Sequence, residues 1–190
     1  MSFKGAVFNG PKPAIIIAPD QAAECQQVAN WLRARTAEGL EPQEIAVIVR
    51  SQDQIGRAKR AAELSGLNSR ILDQEADTTS GRISVCTMHL AKGLEFRAVT
   101  VIACDDEIIP LQARIDAVTD DADLEAGRGR RGHQVNFEQA RVGLRCPLSS
   151  SIEVYCTERH LLYVACTRAR DHLLLTATKP ASEFLGDLGQ

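Results

Sequence analysis

A glycine–lysine pair is missing from all 190 residues. With it goes any phosphate-binding loop of the form G-x-x-x-x-G-K-[ST], whose lysine reaches the nucleotide phosphates. No apolar run approaches the length of a membrane span, and Met1 to Lys12 lack the apolar core of a secretory signal. The expectation is therefore a cytoplasmic chain with no membrane partner. The cysteines, Cys25, Cys86, Cys104, Cys146, Cys156 and Cys166, form no C-x-x-C pair. Several lie in apolar runs (Val85-Cys86, Ala103-Cys104, Ala165-Cys166), where cysteine acts as a small buried hydrophobe, so reduced thiols are expected. His89, His133, His160 and His172 are not spaced as metal ligands, and no metal is expected on this chain. Positive charge is not in excess either: 22 Lys+Arg stand against 25 Asp+Glu, for a formal charge of -3. That excludes a globally basic nucleic-acid coat and leaves a local basic site open.

What remains is a globular composition, 44% hydrophobic and 25% charged, of a length that suits one domain. Short β-branched runs alternate with helical patterns. Ala14 to Ala18 reads as a strand, and Asp20 offers an N-cap for a helix through about Arg35 with Val28, Trp31 and Leu32 on its apolar side. Ile45 to Val49 is a second strand, followed by a helix from about Asp53 to Leu64 that Gly66 ends. Arg70 to Leu72, Ile83 to Thr87 and Ala98 to Ala103 follow as strands. Glu153 to Ala169 reads as a helix and His172 to Ala177 as a last strand. Fully apolar strands alternating with helices call for an α/β fold with a mainly parallel sheet covered on both faces.

One stretch breaks the rhythm. Asp105 to Glu125 is acidic, then Arg128, Arg130, Arg131, Arg141 and Arg145 make the chain basic, with Ser149 to Ser151 closing the run. Residues 113–152 therefore read as a long, flexible insertion. Gly127 to Gly132 matches G-x-G-x-x-G, but no strand precedes it, so it reads as a basic loop rather than a dinucleotide fingerprint.

The informative segments are Thr87-Met88-His89-Leu90-Ala91-Lys92-Gly93-Leu94-Glu95-Phe96 and Glu158-Arg159-His160-Leu161-Leu162-Tyr163-Val164-Ala165-Cys166-Thr167-Arg168-Ala169-Arg170. The first leaves the carboxyl end of a strand, where open α/β sheets hold ligands, and packs donors and a carboxylate into ten residues. The second is a helix that ends on two arginines just before a buried strand. Standing alone, a helix-end arginine caps the last carbonyls and His89 is a polar turn residue. Phe96 and Tyr163 read as core.

These two segments resemble motifs V and VI of the superfamily 1A DNA helicases, the UvrD/Rep/PcrA-like family, approximately T-x-H-x-[AS]-K-G-L-E-[FW] and E-R-x-L-x-Y-V-A-x-T-R-A. The run Ile45 to Leu72 is similar to the start of that family's second RecA-like domain. The resemblance implies that residues 1–190 form a single RecA-like helicase C-terminal domain, lacking the phosphate-binding loop itself. It further implies an ATP site, with Mg²⁺, held mainly by a missing N-terminal RecA-like domain on the same or a separate chain. Cleft closure would then drive stepping 3′ to 5′ along single-stranded DNA. Arg168 matches the arginine finger, a permanently charged planar fork suited to charge spread over phosphoryl oxygens. Glu95 matches the glutamate on the nucleotide's sugar side, and Gly93 lets the loop backbone approach the ligand. Thr87 and His89 match positions facing the DNA backbone, and Arg50 and Lys92 are further phosphate-contact candidates. The chain would be a piece of a larger helicase or one half of a split one, inactive when isolated. A free-standing, non-catalytic RecA-like module that binds nucleic acid or a partner protein stays open as the alternative.

Overall fold

The computed structural model describes residues 10–72, 81–112 and 147–187. Six strands form one sheet in the order β1-β6-β5-β2-β4-β3, and every neighbouring pair is parallel. β1 is Ala14–Ala18, β2 Ile45–Val49, β3 Ser69–Ile71, β4 Ile83–Thr87, β5 Phe96–Val101 and β6 Ala169–Thr178. Parallel strands need crossovers, and three helices provide most of them: α1 (Gln21–Ala37), α2 (Ile55–Ser65) and α3 (Pro147–Cys166). This is the α/β architecture that the strand and helix pattern calls for, and it is consistent with the RecA-like fold that the resemblance implies.

The strand alternation sorts the core into two layers. Ile45, Val47 and Val49 on β2 join Val28, Leu32, Ala58 and Ala61 beneath α1 and α2. Ala46 and Ile48 join Val99, Val101, Leu162, Ala165 and Leu175 beneath α3 on the opposite face. All five residues of β2 are buried, as a central strand covered on both faces must be.

Local chemistry sets the helix ends. Asp20 accepts from the Ala23 amide at 2.8 Å and caps α1. Gly66 takes φ 77°, a left-handed turn open to glycine, and stops α2 one residue after Ser65. The expected start of the last helix at Glu153 is corrected to Pro147, so the serine run that reads as flexible belongs to the helix. Proline suits the first turn, where an amide donor has no partner to lose. Residues 113–146, with the basic glycine loop and Cys146, lie outside the described residues, as do 1–9, 73–80 and 188–190.

The last strand begins at Ala169 rather than His172, and β5 at Phe96 rather than Ala98. Phe96 pairs with Ala169 while Ala98 pairs with His172, so β6 carries an extra residue at this point. The bulge places the polar pair Arg170-Asp171 inside the strand and hides its start from a pattern of apolar residues. Its consequence for the site is direct: Arg168 lies at the entrance of β6 and not within a helix.

Candidate functional site

The two chemistry-bearing segments meet at the amino ends of β5 and β6. The turn after β4 leaves Thr87 at the carboxyl edge, crosses the sheet in eight residues, and delivers Glu95 to the start of β5. A turn of hydrogen bonds holds it: Ala91 N–H to Thr87 O at 3.0 Å and Leu94 N–H to Ala91 O at 3.1 Å. Met88 and Ala91 are buried under it, which anchors the crossing on the α3 face. Gly93 has φ 88° and nothing within 4 Å of where a Cβ would stand. The backbone requires the left-handed conformation there, and the space beside it is open.

Arg168 closes against this turn. Its guanidinium donates from NH1 to Leu94 O at 3.3 Å, from Nε to Val164 O at 3.1 Å, and from NH2 to Thr167 Oγ1 at 3.1 Å. Its own carbonyl accepts from Phe96 N–H at 2.9 Å. The three side-chain acceptors are neutral, and the side chain is half-buried. Among the described residues its partners are carbonyls and a hydroxyl, and a guanidinium so held can exchange them for a more strongly charged partner. Glu95 is exposed on the same edge. Arg168, Gly93 and Glu95, expected to serve one ligand, are thus brought to one end of the sheet.

Thr87, His89 and Arg50 lie toward the opposite edge. Thr87 closes β4 with 7% of its surface exposed, His89 is exposed on the turn just beyond it, and Lys92 is exposed further along the crossing, next to Gly93. A five-residue strand separates the two edges by about 16 Å. Arg50 follows β2 at this carboxyl edge but does not face solvent. It is 3% exposed, and both its Nε and NH2 donate to Glu158 of α3 at 2.5 Å. Strand alternation accounts for the direction: Ile48 faces α3, and so does the residue two further on. As placed, Arg50, expected as a phosphate contact, is half of a buried ion pair. Tyr163 departs from expectation as well. It is 40% exposed and stacked on His160 with ring centroids 6.4 Å apart, while Phe96 is core as read.

Several residues escaped the sequence reading. Glu158 accepts from Arg50 and from the Leu111 amide at 3.2 Å, tying α3 to β2 and to the segment after β5. On the other face Arg57 of α2 pairs with Glu24 of α1 and with Asp105, at 2.6 Å to the latter. Glu24 also takes the Ala103 amide at 3.1 Å, and Asp105 the Thr178 amide at 2.6 Å. Ala103 sits at φ 64°, a left-handed geometry held in place by that carboxylate. The partners are separated by 108 positions in the first network and by 33 and 48 in the second. No local pattern announces them. Only the acid in the first turn of α1, favourable at a helix N-terminus, leaves a trace.

Burial sets the titration of this region. Desolvation raises Glu24, with Arg57 opposing it. Arg57 itself is raised: desolvation acts downward, and the hydrogen bonds and charges of Asp105 and Glu24 outweigh it. Burial pushes the Cys86 and Cys166 thiols up to about 12 and Cys104 well above its ordinary value. Cys25 is raised for the same reason. These thiols are free and buried, in keeping with small core hydrophobes, whereas Cys156 is exposed. Among the described residues no group of three or more His, Cys, Asp or Glu is placed to hold a metal ion, and no helix is long and apolar enough to cross a membrane.

Residues 59–180, well over half of the chain, match the family model described as the UvrD-like helicase C-terminal domain. Over 94 residues, 50% of the chain, it is 33% identical to YjcD of Bacillus subtilis (strain 168), a candidate ATP-dependent DNA helicase. That stretch spans 9% of the relative's length. The solved C-terminal domain of a possible DNA helicase from Lactobacillus plantarum WCFS1 superposes with a TM-score of 0.59 at 20% identity. The superposition covers 96% of this chain and 86% of that one.

Proposed function

Because the chain belongs to the UvrD-like helicase C-terminal domain family, we propose that it is the second motor domain of an ATP-dependent DNA helicase. It would act with an N-terminal RecA-like domain, on the same or a separate chain, that holds the phosphate-binding loop and Mg²⁺. The observation that carries the reading is the meeting of Arg168 with the Leu94 carbonyl, which brings the arginine to the end of the turn that carries Gly93 and Glu95. At this edge Arg168 would reach the γ-phosphate of an ATP bound to the partner domain. It would exchange three neutral acceptors for an anion, and its fork would stabilise the charge that builds on the phosphoryl oxygens. Glu95, exposed beside it, would accept a ribose hydroxyl, and Gly93 would admit the nucleotide close to the backbone.

Thr87 and His89 at the carboxyl edge, and Lys92 on the crossing turn, would take the phosphates of single-stranded DNA. The turn from Thr87 to Glu95 joins the two edges, so a shift imposed by DNA has a short covalent route to the nucleotide. Cleft opening and closure would then advance the domain along the strand in the 3′ to 5′ direction. Half of the ATP site lies elsewhere, so the isolated chain is expected to hydrolyse no ATP.

The test is ATP turnover by the complete helicase carrying Arg168→Ala, measured with saturating single-stranded DNA. Loss of an arginine finger lowers turnover by about a thousandfold or more. Near-normal turnover, or DNA-stimulated hydrolysis by the 190-residue chain that Arg168→Ala abolishes, overturns the assignment.

A further inference from the structure

Among the described residues the sheet has two edges, and they are built differently. β3 closes one with three residues, Arg70 among them. A short strand carrying a cation is a common device against pairing with another chain. β1 closes the other edge with Ala14, Ile15, Ile16, Ile17 and Ala18, and it holds no charge, no proline and no bulge across its five pairs with β6. A comparable apolar run is wholly buried in β2. In β1, by contrast, Ala14 and Ile17 are exposed, Ile17 by 49%. Among the described residues β6 is its sole neighbour, and alternate residues of such a strand turn N–H and C=O away from that neighbour.

We infer that a second copy of this chain fills the free edge of β1, the two strands pairing antiparallel about a two-fold axis through Ile16. The inference does not depend on the helicase reading above. A two-fold interface requires a surface complementary to itself. The segment Lys12-Pro13-Ala14-Ile15-Ile16-Ile17-Ala18-Pro19-Asp20 meets that requirement in shape and in charge. With Ile16 on the axis, Ala14 stands opposite Ala18 of the second copy and Ile15 opposite its Ile17. Pro13 then faces Pro19, and because neither carries an N–H, the two stop the pairing at its ends and hold the register. Lys12 faces Asp20, and the axis makes this pair twice. Both residues are exposed, and Asp20 uses Oδ1 to cap α1, which leaves its second oxygen for the lysine. Ile15 packs on the α3 side of the sheet, and by alternation Ile17 points the same way. Ile15 of one copy therefore covers the half-exposed Ile17 of the other. The pairing joins two six-stranded sheets into one. A single strand pair buries less than the roughly 800 Å² per partner of a standard interface, so the dimer should form and part with concentration.

The experiment is sedimentation equilibrium of the purified 190-residue chain, at concentrations rising to about 1 mM so that weak association is populated. The wild type is expected to move from the 20.7 kDa of one chain toward twice that mass. Ile17→Lys, which sets a cation at the half-exposed position, should weaken association by about tenfold or more. Lys12→Glu, which brings like charges together, should weaken it by about threefold or more at low salt. That difference should vanish at about 1 M salt, where screening acts within about 3 Å. Oxidation reads the register. Ile16→Cys stands on the axis and should give a disulfide between copies, identified by peptide mass, whereas Ala14→Cys, about 14 Å from its own counterpart, should give none. A wild type that keeps the mass of one chain at every concentration overturns the inference and leaves the edge to a strand of another protein. A dimer that neither Ile17→Lys nor Lys12→Glu weakens overturns it, and so does cross-linking of Ala14→Cys without that of Ile16→Cys. If Ile17→Lys does not melt cooperatively, Lys12→Glu, at an exposed position, decides alone: weaker association at low salt supports the inference and unchanged association overturns it.

Discussion

At the scale of single residues, two positions make claims that titration and denaturation can check. His172, at the start of the buried part of β6, receives Arg35 NH1 on Nδ1 at 2.8 Å, and the imidazole must be neutral at that nitrogen to accept. Desolvation first, and the Arg35 charge second, lower its pKa from 6.5; Glu38 and Asp171 oppose them. The sign follows from linkage: between the lowered folded value and 6.5 the unfolded chain binds the proton more readily, so stability rises with pH across that window and is lost as pH falls through it. A urea series from pH 8 to pH 5 should show this loss, and His172→Gln, which does not titrate, should flatten it. Gly93 makes the second claim. At φ 88° with open space at the Cβ position, alanine meets no atom and suffers only the left-handed backbone cost. Gly93→Ala should lower stability by about 1 kcal/mol, and Gly93→Asn by less, since asparagine tolerates this region best among non-glycine residues. Equal denaturant midpoints for wild type and Gly93→Ala would contradict the conformational argument.

At the scale of elements, the Arg57 network fastens α1, α2 and the ends of β5 and β6 into one block. Removing one member of a buried ion network leaves its partners charged and unpaired, typically at a cost of about 3–5 kcal/mol. Arg57→Met should fall in that range at pH 8. Burial already raises Glu24, and loss of the guanidinium raises it further, so acid should neutralise the orphaned carboxylate. The difference between Arg57→Met and wild type should therefore shrink as pH is lowered toward 5.5; a difference that grows would mean Glu24 is not the group left exposed to the penalty. Much of this element layout was legible in sequence. β1, β2 and β4 appear over the residues expected, because short runs rich in β-branched residues and bounded by Pro19, Ser51 or Gly81 leave little choice of limits. The bulge at Arg170-Asp171 was not legible, since the pairing of Phe96 with Ala169 is a tertiary event that overrides the apolar pattern. The candidate site divides in the same way. Contiguous motifs announced Arg168, Gly93 and Glu95, while the partners of Arg50 and Arg57 are fixed only when remote strands and helices are assembled.

At the scale of the whole molecule, a chain of net charge -3 must bind DNA through a local arrangement of cations or not at all. Among the described residues the carboxyl edge offers exposed His89 and the crossing turn exposed Lys92, with Arg50 withdrawn into its pair with Glu158. Counterion release ties the number of phosphates neutralised to the salt dependence of binding, at a slope of about -0.7 per phosphate on single strands. If Lys92 is a phosphate contact, Lys92→Ala should make the slope of log K against log salt shallower by about 0.7 and weaken binding across sequences alike. Arg50→Gln, which removes a charge already taken up by Glu158, should leave that slope unchanged. The measurement is fluorescence anisotropy of a labelled oligonucleotide between 50 and 200 mM salt, about the range over which such contacts are best resolved. A slope that drops with Arg50→Gln and not with Lys92→Ala would mean that the ion pair opens to DNA and that Glu158 releases its partner on binding. A steep wild-type slope unmoved by either change would place the phosphate contacts elsewhere on the chain, away from the edge where Thr87 and His89 stand.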